Sequence, residues 1–139
     1  RLGVPVGVTE QYTRGLGRTI PELETTLARC ATFEKTTFSA FGSPLFSNWL
    51  EAIEARNLVL VGMETHVCVQ QTALDALRRG LGVYVLADAV GSRHGYDREV
   101  ALERMRQAGT VITTLESAIF EMLGQAATPE FREVLPYLK

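Results

Sequence analysis

LVLVGMETHVCVQQTALDALRRG, residues 58–80, holds the strand-to-helix switch on which the fold turns. A run of β-forming residues stops at Gly62, and six residues later Cys68 opens a segment with helical spacing. There Val69, Ala73 and Leu77 recur at i, i+4 and i+8, and Asp75 and Arg79 are spaced for an i, i+4 pair. Gly80 follows as a left-handed terminator. A short apolar run feeding an amphipathic helix is the repeating unit of a parallel α/β sheet.

The same unit recurs on both sides. Residues 4–9 (VPVGVT) predict a buried strand, and 11–21, with Gly15, Gly17 and Pro21, an exposed loop. Pro21 is placed to open a short helix with Glu22 and Glu24 near its positive end. Residues 32–35 read as a brief strand, and Ser43 before Pro44 as the N-cap of a helix running to about Arg56. A buried strand over 57–63 and another over 82–87, ending at Asp88, flank the cysteine helix. A loop over 89–96 leads to a helix over 97–108, with Asp97 and Glu99 in its first turn and Arg104 and Arg106 in its last. A last strand over 110–113 and helices over 116–123 and 129–138 complete the pattern. The alternation predicts a parallel, doubly wound α/β sheet covered on both faces. Ligands bind such sheets at the carboxyl ends of strands, here the loop after Glu10, Lys35, residues 63–68 and residues 88–94.

The 139 residues suit one domain spanning 1–139. Charges are mixed and sum to −2, which leaves no basic footprint for nucleic acid and no polybasic surface for membranes. The longest apolar runs are strand-length, so no membrane span is expected. Two cysteines, Cys30 and Cys68, are too few for a disulfide framework and suit a reducing, cytoplasmic compartment. The chain opens RLGVPVGVTE, without an initiator Met or an apolar leader, and reads as a piece of a longer one.

Cys68 falls where a helix begins, among outward-pointing N–H groups that favour a thiolate and can hold an oxyanion. A free cysteine is also a common buried filler, and position alone leaves both readings open. Lys35 ends a strand in TFEKTTF, where it can steady a thiolate or remain a plain edge lysine. His66, two residues before Cys68, points away from it on a regular helix. His94 lies in a glycine-containing loop at a strand end, and Asp88 either rims a site or caps a turn. GLG at 15–17 lacks the third glycine of a dinucleotide fingerprint. Two distant histidines and no Cys-x-x-Cys give no structural zinc site.

Taken together, VGMETHVCV, FEKTTFSAF, VTEQYTRGLG, and ADAVGSR followed by ALERMRQAGTVITTLE resemble the isochorismatase-like cysteine hydrolases. The likeness is closest to the branch of isochorismatase domain-containing proteins. It implies a three-layer α/β/α sandwich around a parallel, Rossmann-like sheet of order 3-2-1-4-5-6. It also implies an Asp–Lys–Cys triad, with Cys68 as nucleophile and Lys35 as the triad lysine. A cis peptide between Met63 and Glu64 and an oxyanion hole from the backbone N–H groups of Glu64 and Cys68 follow from the same likeness. Residues 4–9 align with the second strand of the family. No residue matches the aspartate that ends the first, so both that strand and that base are expected to lie outside this chain.

A nucleophilic cysteine points to hydrolysis of a C–N bond in a small amide through a thioester, without cofactor or metal. Tyr12, Phe38 and His94 are the expected substrate-binding residues, and the family implies a homo-oligomer, dimer or tetramer. A non-catalytic binding or scaffold protein of the same fold is the alternative, because the triad aspartate is unmatched.

Overall fold

A computed structural model describes residues 2–138. Strands β1 (Gly7–Gln11) and β2 (Ala31–Lys35) pair in parallel, and β3 (Asn57–Met63), β4 (Gly82–Gly91) and β5 (Val111–Thr113) form a second parallel sheet in that order. Helices α1 (Thr13–Leu16) and α2 (Pro21–Leu27) connect the first pair, and α3 (Pro44–Ala52) leads from β2 to β3. Helix α4 (Gln70–Arg78) links β3 to β4, and α5 (Gly95–Gln107) links β4 to β5. Helices α6 (Leu115–Leu123) and α7 (Pro129–Val134) follow.

The layers follow from the alternation of side chains along each strand. Val83 and Val85 of β4 point to one face and meet Val69, Ala73 and Ala76 with Leu102 and Met105, all buried. Val59 and Tyr84 face the other way, toward Ala118 and Met122 of α6. Helices α4 and α5 thus cover one face and α6 the other, which is the three-layer α/β/α arrangement. On the first sheet, Phe33 packs with Phe46 and Leu50 of α3, its ring edge-on to Phe46 at 5.7 Å. Gly7 makes room there, since a Cβ would lie 2.7 Å from the Trp49 ring.

Several expectations need correction. The first strand begins at Gly7, not Val4, because Gly7 is the first residue with a partner, Ala31, and Pro5 has no N–H to give. It and β3 were expected to be buried; instead no residue of either strand is buried, and Val61 and Met63 of β3 are 56% and 72% exposed. The cause is topological: among the described residues β1 pairs with β2 and β3 with β4, and β1 and β3 do not bond to each other. Asp75 pairs with Arg78 at 2.7 Å rather than with Arg79, whose guanidinium instead lies over the Phe41 ring at 4.6 Å. Finally, α3 stops at Ala52 with no side-chain cap from Ser43, and β4 runs past Ala87 to Gly91 through a register shift opposite 60–62.

Candidate active site

Parallel pairing puts Gln11 opposite Lys35 and Glu10 opposite Glu34. Neighbours along a strand point to opposite faces, so the two pairs serve different ends. Glu10 accepts from the Thr19 N–H and hydroxyl, both at 2.8 Å. Glu34 accepts from the Thr13 hydroxyl at 2.5 Å and N–H at 3.1 Å. The Thr19 backbone bond and then its hydroxyl hold the Glu10 carboxyl below the usual glutamate range, and the Thr13 hydroxyl and N–H do the same for Glu34. The strand-end rule points to Glu10, yet Gln11 is the residue on the site's face.

Lys35 is 6% exposed, and its ammonium donates to Gln11 Oε1 at 2.5 Å, Phe38 O at 2.8 Å and Thr37 O at 3.0 Å. Cys68 Sγ stands 3.7 Å from the same nitrogen. Gln11 Oε1 is also 3.8 Å from Sγ, and Gln11 Nε2 donates to Thr36 O at 2.8 Å. No carboxylate pairs with Lys35 among the described residues. The loop carrying those carbonyls is pinned to the cysteine's helix where Ala40 N–H donates to Thr72 Oγ1 at 3.0 Å.

Cys68 sits in a π-type turn, Thr65–Val69, that precedes α4, not in the first regular turn of an α-helix. Such wide turns recur where a side chain must be re-aimed. The Met63–Glu64 peptide entering the turn is cis, at the place the resemblance implies. Thr65 anchors the turn by donating to Gly91 O at 2.8 Å. His66 turns away from the sulfur, with Nδ1 3.0 Å from Ser92 Oγ and Nε2 3.9 Å from Asp97 Oδ2. Both cysteines are free.

Of the other expected residues, Tyr12 and Phe38 are half-exposed, and Phe38 reaches the site through its carbonyl only. His94 is exposed just before α5, and none of the three side chains touches Sγ among the described contacts. Asp88 accepts from the Leu115 N–H at 2.9 and 3.1 Å, so it caps α6. A groove of about 130 Å³ runs from Gly7 and Thr9 of β1 past Val61 and Met63 of β3 to Cys68. Among the described residues no three His, Cys, Asp or Glu side chains converge as a metal site would require, and no helix is long and apolar enough to cross a membrane.

The isochorismatase domain family matches residues 1–117. Isochorismatase domain-containing protein 1 of Salmo salar is 44% identical over 138 residues, 99% of this chain and 48% of that protein. The MAR1 ribonuclease structure from Caenorhabditis elegans is similar with a TM-score of 0.89 at 45% identity, over 96% of this chain and 68% of that one. YcaC from Pseudomonas aeruginosa, solved with hexane-2,5-diol and covalent acrylamide, has a TM-score of 0.83 at 27% identity, over 88% of this chain and 61% of that one. This chain spans about half the length of the salmon relative. A family model covering most of the sequence, with relatives at this identity, places the chain in the isochorismatase family, in the branch of isochorismatase domain-containing proteins.

Proposed function

We propose that Cys68 is the nucleophile of a hydrolase that cleaves the C–N bond of a small carboxamide. The observation that carries this reading is the buried Lys35 ammonium 3.7 Å from Sγ, a counter-charge set at a strand–helix junction. Hydrolases among the family's structural neighbours support hydrolysis as the reaction class. Acrylamide bonds to nucleophiles such as thiolates, and its covalent presence in YcaC supports a reactive group in that protein.

In the proposed cycle Sγ adds to the amide carbonyl carbon, and the oxyanion is held by the N–H groups of Glu64 and Cys68. Collapse expels the amine or ammonia, which carries off the proton the thiol gives up, and leaves a thioester. Water then adds to the thioester, releasing the carboxylic acid and restoring the thiol. Tyr12, Phe38 and His94 surround the approach in this reading. Among the described residues the acceptor beside Lys35 and Cys68 is the amide of Gln11. Assembly into a dimer or tetramer, open to test by light scattering, and a cytoplasmic setting belong to the same proposal.

Ammonia release from a panel of small carboxamides tests it, with Cys68→Ala as the control. Turnover equal in both proteins removes Cys68 as nucleophile. The C. elegans relative bears the name ribonuclease, so RNA cleavage is the second arm; a net charge of −2 favours the small amide.

Among the described residues the side-chain oxygen bonded to Lys35 is the Gln11 amide, and a non-catalytic binding or scaffold protein of the same fold is the competing reading. Iodoacetamide labelling separates the two: a working Cys68 reacts faster than Cys30 near neutral pH, and equal rates favour the scaffold.

A further inference from the structure

The pairing of β3 with β4 ends where Met63 lies opposite Gly91. Beyond that pair the contact continues through side chains. Three consecutive residues entering the cysteine's turn each bond to one residue of the stretch 91–93. The Glu64 carboxylate accepts the Arg93 N–H at 3.0 Å, the Thr65 hydroxyl donates to Gly91 O at 2.8 Å, and His66 Nδ1 stands 3.0 Å from Ser92 Oγ. Thr65 is fully buried, so its bond is sheltered from competing water.

Glu64 is held at a second point as well. Its carbonyl accepts the N–H groups of Val67 and Val69, both at 3.2 Å. With the carboxylate fixed on one side and the carbonyl on the other, the residue has little freedom to turn about its Cα, and its own N–H keeps one direction. Two ionic contacts reach the same carboxylate, His66 Nδ1 at 3.6 Å and Arg93 Nε at 3.9 Å. Both are long and partly exposed, so the bond from the Arg93 N–H is the one that sets direction.

We propose that the Glu64 side chain is a positioning group for acyl transfer at Cys68: tied to the Arg93 N–H, it aims the Glu64 N–H at the oxyanion. The inference rests on the reading of Cys68 as nucleophile, with the N–H groups of Glu64 and Cys68 as its oxyanion hole. It adds the loop between β4 and α5 as the frame on which that hole is built.

Two reagents that meet the same sulfur separate this role from general damage. Sγ attacks p-nitrophenyl acetate at the carbonyl carbon: a C–S bond forms, the carbonyl oxygen becomes an oxyanion, and collapse expels nitrophenolate to leave an acetyl thioester. Iodoacetamide alkylates Sγ by direct displacement of iodide, and no oxyanion forms. The thiol proton goes to solvent in both reactions, so the ionisation of Cys68 cancels in the ratio of their rates.

Glu64→Met fills similar space and removes the acceptor, and the ratio of acylation to alkylation is expected to fall about tenfold, short of the roughly 10²–10³ lost with a whole oxyanion donor. Glu64→Gln keeps an acceptor for the Arg93 N–H and is expected to recover most of the ratio. A ratio unchanged in Glu64→Met, or lowered as far in Glu64→Gln, overturns the proposal. Should Glu64→Met fail to fold, Glu64→Ala is read in its place with the same expected fall. Nitrophenolate release no faster than in Cys68→Ala, from a protein whose Cys68 is still alkylated, removes the acyl-transfer reading and this inference with it. Release by the parent with a ratio that the variants do not move removes the inference alone.

Discussion

Lys35 and Cys68 lie 33 residues apart in sequence and 3.7 Å apart in space, and among the described residues β2, which ends at Lys35, is not paired with β3, which precedes the turn holding Cys68. What brings them together is the loop after β2. Lys35 donates to two of its carbonyls, and Ala40 of the same loop is bonded to Thr72 on the cysteine's own helix. The site is thus a contact between a loop and a turn, each held by buried polar bonds.

Replacing Lys35 by Met removes the counter-charge while keeping an unbranched side chain of similar length. Alkylation of Cys68 at pH 7 is expected to slow about tenfold, the size of one pH unit of lost charge stabilisation. Cys30, which has no bond to Lys35 among the described contacts, serves as the unaffected reference. An unchanged rate at Cys68 would show that the ammonium does not act on the sulfur.

Thr72→Val keeps the shape of the side chain and removes the acceptor of the buried Ala40 N–H. An unsatisfied buried donor costs about 1–3 kcal/mol. Denaturant titration should show that loss, and Cys68 alkylation should slow because the loop holding Lys35 is released. Full retention of both properties would mean the loop is fixed by other contacts.

Gly42 belongs to the same loop. A Cβ there would be 2.2 Å from Thr37 Oγ1 and 2.6 Å from Thr37 Cβ, so Gly42→Ala must push Thr37 aside. Overpacking of this kind costs about 1–3 kcal/mol. Because Thr37 O accepts from Lys35, the midpoint of thermal unfolding and the alkylation rate should fall together.

Glu10 supplies a pH dependence whose sign follows from its bonds. Its carboxyl is held below the usual glutamate value of 4.5, first by the Thr19 N–H and then by the Thr19 hydroxyl. A carboxylate with a lowered folded value stabilises the fold above 4.5 and loses that contribution as pH falls through the lowered value. Glu10→Gln should therefore be less stable than the parent above about pH 5, and the gap should close as the pH is lowered below 4. Thermal melts across that range check it; a gap independent of pH would show that the carboxylate charge contributes nothing.

Much of the fold was legible because strand and helix periodicities differ and are local. The unit from Leu58 to Gly80 shows both: a β-forming run, then Val69 and Ala73 on one buried helix face, closed by a glycine at positive φ. His66 does turn away, to Ser92, but in a π-type turn to which the spacing of a regular helix does not apply. Burial of β1 and β3 was not legible. Apolar content marks a strand as fit for a core, whereas its exposure depends on which strand lies alongside, and that is a long-range fact.

For the site, the sequence by itself determined the local chemistry: a thiol at a strand–helix junction and a lysine at a strand end. Both follow from residue type and short-range pattern. The tertiary structure alone decided that they meet and that Gln11 stands between them. It also decided that Glu10, the more conspicuous acid, serves Thr19 instead. The reason is register. Pairing Gly7 with Ala31 sets Gln11 opposite Lys35, and a slip of one residue would have turned Glu10 toward the site.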